Sequence, residues 1–92
     1  MSVIFVIPGA LRELAGRDEV RVEGPASPVS AALSLLWVEC PAIRDRVITE
    51  LGEVRPHINI FVDGEDIRYS GGLDAPVRDG AEVFLLPAIS GG

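Results

Sequence analysis

The sequence predicts an α+β domain in which a mixed sheet packs on one face of a single main helix. Two observations carry that expectation. Short runs with a two-residue apolar period stand toward both ends of the chain, and between them one stretch repeats its apolar residues at three- and four-residue spacing. The resulting order is strand, strand, long helix, strand, strand, which leaves the sheet one helix to cover it.

In chain order, Val3, Phe5 and Ile7 alternate with Ser2, Ile4 and Val6, so Ser2 to Ile7 reads as a strand ended by Pro8-Gly9. Ala10 to Asp18 reads as a connection with room for a short helical turn. Glu19-Val20-Arg21-Val22-Glu23 alternates strictly, which points Val20 and Val22 inward. Ser27-Pro28 has the form of a helix start, serine as N-cap and proline at the first helical position. Val29, Leu33, Leu36 and Cys40 then share a face, flanked by Ala32 and Trp37, up to a stop at Pro41. Ala42 to Leu51 carries a weaker helical pattern through Ile43, Val47 and Leu51, with Gly52 as its C-cap. Ile58, Ile60 and Val62 define a third strand that turns at Asp63-Gly64-Glu65-Asp66. Ile67-Arg68-Tyr69 is expected to pair briefly with a neighbour, Gly71-Gly72 to serve backbone geometry, and Asp79-Gly80 to turn into a last strand from Glu82 to Leu86.

The composition narrows the function classes. A 92-residue chain that is 48% hydrophobic makes one folded domain. Eight basic residues, all arginine, face fourteen acids for a net charge of −6, which argues against nucleic acid as a partner. Pro8-Gly9 and Ser34 interrupt the longest apolar runs well short of the roughly 18 residues a membrane helix needs, and no basic leader precedes them, so a cytoplasmic protein with no membrane partner is expected. One cysteine excludes an internal disulfide, and one Cys with one His cannot build a zinc site. Cys40 reads as core, and His57 as a loop residue without a catalytic partner. Trp37 reads as helix packing, and the arginines, Arg68 and Arg78 among them, as solvated surface.

The stretch that calls for chemistry is Leu86-Pro87-Ala88-Ile89-Ser90-Gly91-Gly92. Pro87 cannot donate to a ladder, so the strand is expected to end near Leu86, giving a domain over 1–87 and a flexible tail over 88–92. Five extended residues reach about 16 Å. Gly91 and Gly92 have no side chain, so the backbone can enter a channel too narrow for any other residue and present a bare carboxylate. A frayed terminus is the competing reading. The absence of lysine fits a chain whose own side chains must not capture an activated carboxylate, although codon bias would produce the same absence.

Three stretches together decide between these readings: Ile58 to Arg68, Gly71 to Gly80, and Leu86 to Gly92. In this order they resemble the MoaD/ThiS family of ubiquitin-like sulfur carriers, closely over the second half of the chain and by element pattern over the first. The resemblance implies a ubiquitin-like β-grasp fold with its first and last strands parallel at the centre. It also implies a non-catalytic carrier that binds no cofactor. An E1-like enzyme using ATP would adenylate the Gly92 carboxylate, which would then become a thiocarboxylate, with Ala88, Ile89, Ser90 and Gly91 as the tether. Arg68-Tyr69-Ser70-Gly71-Gly72-Leu73 and Leu86-Pro87-Ala88 look most like carriers of the CysO type, whose sulfur acceptor is a cysteine synthase. The molybdopterin synthase large subunit is the alternative acceptor, and isopeptide attachment to protein lysines the alternative chemistry.

Setting the inward phase by Val3, Phe5, Ile60 and Leu85 leaves Ile4, Val6, Phe61, Phe84 and Leu86 on the opposite face of the sheet. An apolar patch beside the tail is expected to dock a partner enzyme, unless residues 42–55 fold over it or the register slips by one. The acidic balance suits a partner that is positive around that face.

Overall fold

The computed structural model describes residues 1–87. Its elements are β1 (Ser2–Val6), α1 (Gly9–Ala15), β2 (Glu19–Glu23), α2 (Val29–Glu39), α3 (Arg44–Val47), β3 (Ile58–Val62), β4 (Glu65–Asp66) and β5 (Glu82–Pro87). Five strands form one sheet in the order β2-β1-β5-β3-β4. β1 and β5 run parallel next to each other, and the remaining neighbours are antiparallel, so the sheet is mixed and β5 is its central strand. This is the α+β, β-grasp arrangement that the element order and the family resemblance imply.

Alternation decides what each strand buries. Val3, Phe5, Val20, Val22, Ile58, Ile60, Val83 and Leu85 are all buried on the face toward α2. The helix answers with Val29, Ala32, Leu33 and Leu36, and Cys40 at its C-terminal cap is buried with them. Removing this much apolar surface from water at about 25 cal/mol per Å² is the main force holding the two layers together. No polar or charged residue is buried among the described residues, so the core carries no desolvation cost to offset it.

Several local expectations are corrected. Ser27 does not cap α2. Pro28 occupies the cap position with no side-chain bond, and the Ser27 hydroxyl instead accepts the Val77 N–H at 3.0 Å while Ala75 O accepts the Val29 N–H at 3.0 Å. The helix start is thus stitched to the segment preceding β5, because an amide left bare in that part-buried segment needs an acceptor. The connection after β1 is a helix of seven residues, built from good helix formers and closed by Gly16 in the left-handed conformation.

Helical structure after Pro41 is shorter than expected. A 3₁₀ turn over Pro41–Ile43 leads into α3, which stops at Val47, and Ile48 pairs with Val54 in an isolated bridge. The Thr49 hydroxyl accepts the Leu51 and Glu53 amides, and Gly52 takes φ +80°, so the chain reverses there and Gly52 caps no helix. Leu51 is consequently 85% exposed, although Ile43 and Val47 are buried as expected.

Ile67-Arg68-Tyr69 pairs with no strand. The Asp66 carboxylate accepts the Arg68 N–H at 2.9 Å and turns these residues into 3₁₀ structure, leaving β4 only Glu65 and Asp66. The last strand runs one residue further than expected. Asp63 and Glu82 share a ladder bond, so by alternation Pro87 stands opposite Ile58 at a position where β3 asks for no N–H. Proline therefore does not stop the strand before itself. The tail, with Ala88, Ile89, Ser90, Gly91 and Gly92, lies outside the described residues.

Candidate functional site

The outer face of the sheet is built by register. Val6 stands beside Phe84 and Phe84 opposite Phe61, so these three form a row across β1, β5 and β3. Ile4 lies two residues before Val6, and Leu86 two residues after Phe84, which puts both on the same face. All five are half-buried. The structure thus brings together every residue expected there. Residues 42–55 do not cover them: Ile43, Val47 and Ile48 join the core on the helix side. The sheet register is the expected one, with no slip.

Charged side chains frame this apolar row. Arg21 is the register partner of Ile4 and Glu19 of Val6 along the β2 edge, and the Arg21 Nε donates to the Ser2 hydroxyl at 2.9 Å and to Glu23 at 3.1 Å. Along the opposite edge, Asn59 is opposite Leu86 and Asp66 opposite Phe61. Arg68 ties these two together, donating from Nη2 to Asp66 Oδ2 at 2.9 Å and also to Asn59 Oδ1. The Arg68 side chain, and secondly its backbone N–H, hold the Asp66 carboxyl below the usual carboxylate range. A fixed guanidinium thus stands at the edge of the face, near the end of β5.

A second fixture sits at the other end of β3. Asp63 adopts φ +50° in the two-residue turn with Gly64, and its carboxylate accepts the Glu82 N–H at 3.0 Å and the Arg78 Nη2 at 3.1 Å. Those bonds, the Glu82 amide first, lower its pKa from 3.8. This clamp fixes where β5 begins, and so which of its side chains face outward. Sequence reasoning identified the turn but neither cluster, because the partners of Asp63 and Arg68 are up to 19 residues away.

The remaining candidates take plain positions. Cys40 is 4% exposed, with the Arg17 guanidinium 3.8 Å from its sulfur. His57 is exposed, immediately before β3. Gly71 and Gly72 have φ +118° and +62°, the backbone role expected of them. No group of three or more potential metal ligands occurs among the described residues, and no helix among them is long and apolar enough to cross a membrane.

Sheet order, a main helix packed with two shorter ones on one face, and an apolar outer face define a ubiquitin-like protein of the β-grasp fold. The chain belongs to the ThiS family, which it matches over residues 5–92. It is 34% identical over 94 residues to the sulfur carrier protein CysO of Mycobacterium tuberculosis, all of each chain being covered. The crystal structure of SAMP1 from Haloferax volcanii superposes with a TM-score of 0.88 at 33% identity, again over all of both chains. A chain in the crystal structure of the BexX/CysO complex of Amycolatopsis orientalis gives a TM-score of 0.86 at 34% identity, covering 98% of this chain and 99% of that one.

Proposed function

We propose that this protein carries sulfur as a thiocarboxylate on Gly92 and does not itself catalyse. A carboxylate is a poor electrophile, so the carrier needs a partner. An E1-like enzyme would let the Gly92 carboxylate oxygen attack the α-phosphorus of ATP, with pyrophosphate leaving. A hydrosulfide equivalent would then attack the acyl carbon and displace AMP, leaving C(O)S⁻. That group is a strong, soft nucleophile suited to an electrophilic acceptor, which in cysteine biosynthesis is a cysteine synthase. The domain's part is to offer a recognition face and a narrow tether, and Ile4, Val6, Phe61, Phe84 and Leu86 form that face.

The observation that carries this reading is the full-length similarity to a sulfur carrier protein, which includes the diglycine end. Isopeptide modification is the second reading, favoured by 38% identity to small archaeal modifier protein 1 of Haloferax volcanii over 84 residues. Both need the same activated terminus. Pyrophosphate release by an E1-like enzyme with ATP should therefore depend on the chain and vanish when Gly92 is deleted; undiminished release with the deleted chain would overturn both. Attachment to target lysines, detected by peptide mass spectrometry, separates modification from sulfur transfer.

A further inference from the structure

The central strand of the apolar face carries one charge. Glu82 is the register partner of Ile4, and alternation along β5 turns it outward with Phe84 and Leu86 while Val83 and Leu85 are buried. Asp63 pins its main chain twice: the Asp63 carboxylate accepts the Glu82 N–H at 3.0 Å, and the Glu82 carbonyl accepts the Asp63 N–H at 2.9 Å. The carboxylate is therefore displayed from a fixed backbone. Glutamate is depleted in strands, so its own propensity does not account for it in the middle of this sheet.

The arginines of the face are already matched. Arg21 pairs with Glu23 at 3.1 Å, Arg68 with Asp66 at 2.9 Å and Arg78 with Asp63 at 3.1 Å. Two carboxylates of the face are left over, Glu19 beside Val6 on the edge strand β2 and Glu82 at the centre. All eight arginines, His57 and the N-terminus lie within residues 1–87, and among the described residues none forms an ion pair with either.

We propose, on the reading that this face docks the E1-like enzyme, that Glu82 is the residue through which the face reads charge, and that the enzyme sets an arginine or lysine opposite it. Ile4 stands beside Glu82, and Phe84 lies two residues beyond it, about 7 Å along the strand, so a partner covering both takes Glu82 out of water as well. A standard interface of about 800 Å² per side is wide enough to do so. A carboxylate desolvated without a counter-charge opposes binding, whereas a cation placed opposite it favours this partner over neutral and acidic surfaces. A second copy of this chain is a poor occupant: at net charge −6, with the arginines of its face matched, it would bring carboxylate toward carboxylate. Glu19, on the edge strand, contributes to encounter and not to the central contact.

The test is pyrophosphate release by the E1-like enzyme of the native host with ATP, measured against carrier concentration for the unmodified chain, Glu82→Gln and Glu13→Gln. The amide keeps the size of the side chain and the main-chain bonds to Asp63, and an unchanged urea midpoint reports the fold. Glu82→Gln should raise KM about tenfold, leave kcat within about twofold, and flatten the fall of kcat/KM with added salt. Glu13 is exposed on α1 and forms no ion pair among the described residues. Glu13→Gln removes the same net charge and should leave both KM and the salt dependence as they were. A Glu82→Gln protein that matches the unmodified chain in KM and salt dependence would overturn the charge-reading role and leave activation at Gly92 standing, as would an equal rise in KM from Glu13→Gln. Absence of pyrophosphate release with the unmodified chain would overturn both.

Discussion

Asp63 shows how one side chain fixes the geometry of a face it does not belong to. Its carboxylate holds the first amide of β5 and the Arg78 guanidinium, and its own pKa is lowered from 3.8 in return. A depressed folded-state pKa means stability that is present above the unfolded value and lost as pH falls through the folded one. Chemical denaturation should therefore show declining stability as pH drops below about 4, with part of that decline absent in Asp63→Asn, which keeps an acceptor for Glu82 but no charge. Because the group is well solvated, the charge should be worth under about 1 kcal/mol at neutral pH. Gly71 makes a second residue-level case. At φ +118°, an added Cβ would also lie 3.4 Å from the backbone of Ala75, whereas at Gly72 nothing lies within 4 Å. Gly71→Ala should cost about 1–3 kcal/mol and Gly72→Ala nearer 1, read from urea midpoints.

At the scale of elements, the outer face of β1, β3 and β5 is where the proposed function is most exposed to test. Phe61 lies at its β3 end, paired with Phe84 and next to the edge cluster of Asp66, Arg68 and Asn59. Phe61→Asp leaves the helix-facing core untouched, so stability should fall by about 1 kcal/mol while activation by the E1-like partner slows at least tenfold. A folded Phe61→Asp protein activated as fast as the unmodified chain would remove the docking role from this face. The strands and α2 were legible in the sequence because period-two and helical spacings record burial directly, as Val20 and Val22 or Leu33 and Leu36 show. Less legible were ends set by side-chain hydrogen bonds, near or distant in the chain. Ser27 has the composition of a cap, yet Val77 takes its hydroxyl; Leu51 keeps the helical spacing, yet Thr49 and Gly52 turn the chain first. Ile67 to Tyr69 kept strand-like residues but were bent by the Asp66 carboxylate.

Over the whole molecule, the proposed function assigns chemistry and scaffold to separate parts of the chain. The domain buries its only cysteine to 4% exposure and the chain carries no lysine, so a Gly92 acyl group activated as proposed would meet no surface thiol and no side-chain amine of its own chain. The central β5 is locked into the sheet on both edges, and in the sequence the diglycine follows its last residue by four and five positions. That arrangement suits a protein acted upon by others, whose working group is delivered and not assembled. The most direct measurement is intact mass spectrometry of the protein isolated from its native host under conditions that preserve thioacids, with fragmentation to locate any change. The account predicts a fraction whose mass rises by the replacement of one oxygen by sulfur, with the change confined to Gly92 and lost when hydrolysis restores the carboxylate and releases hydrogen sulfide. An unmodified carboxylate in cells actively assimilating sulfur, or sulfur found only on Cys40, would contradict it.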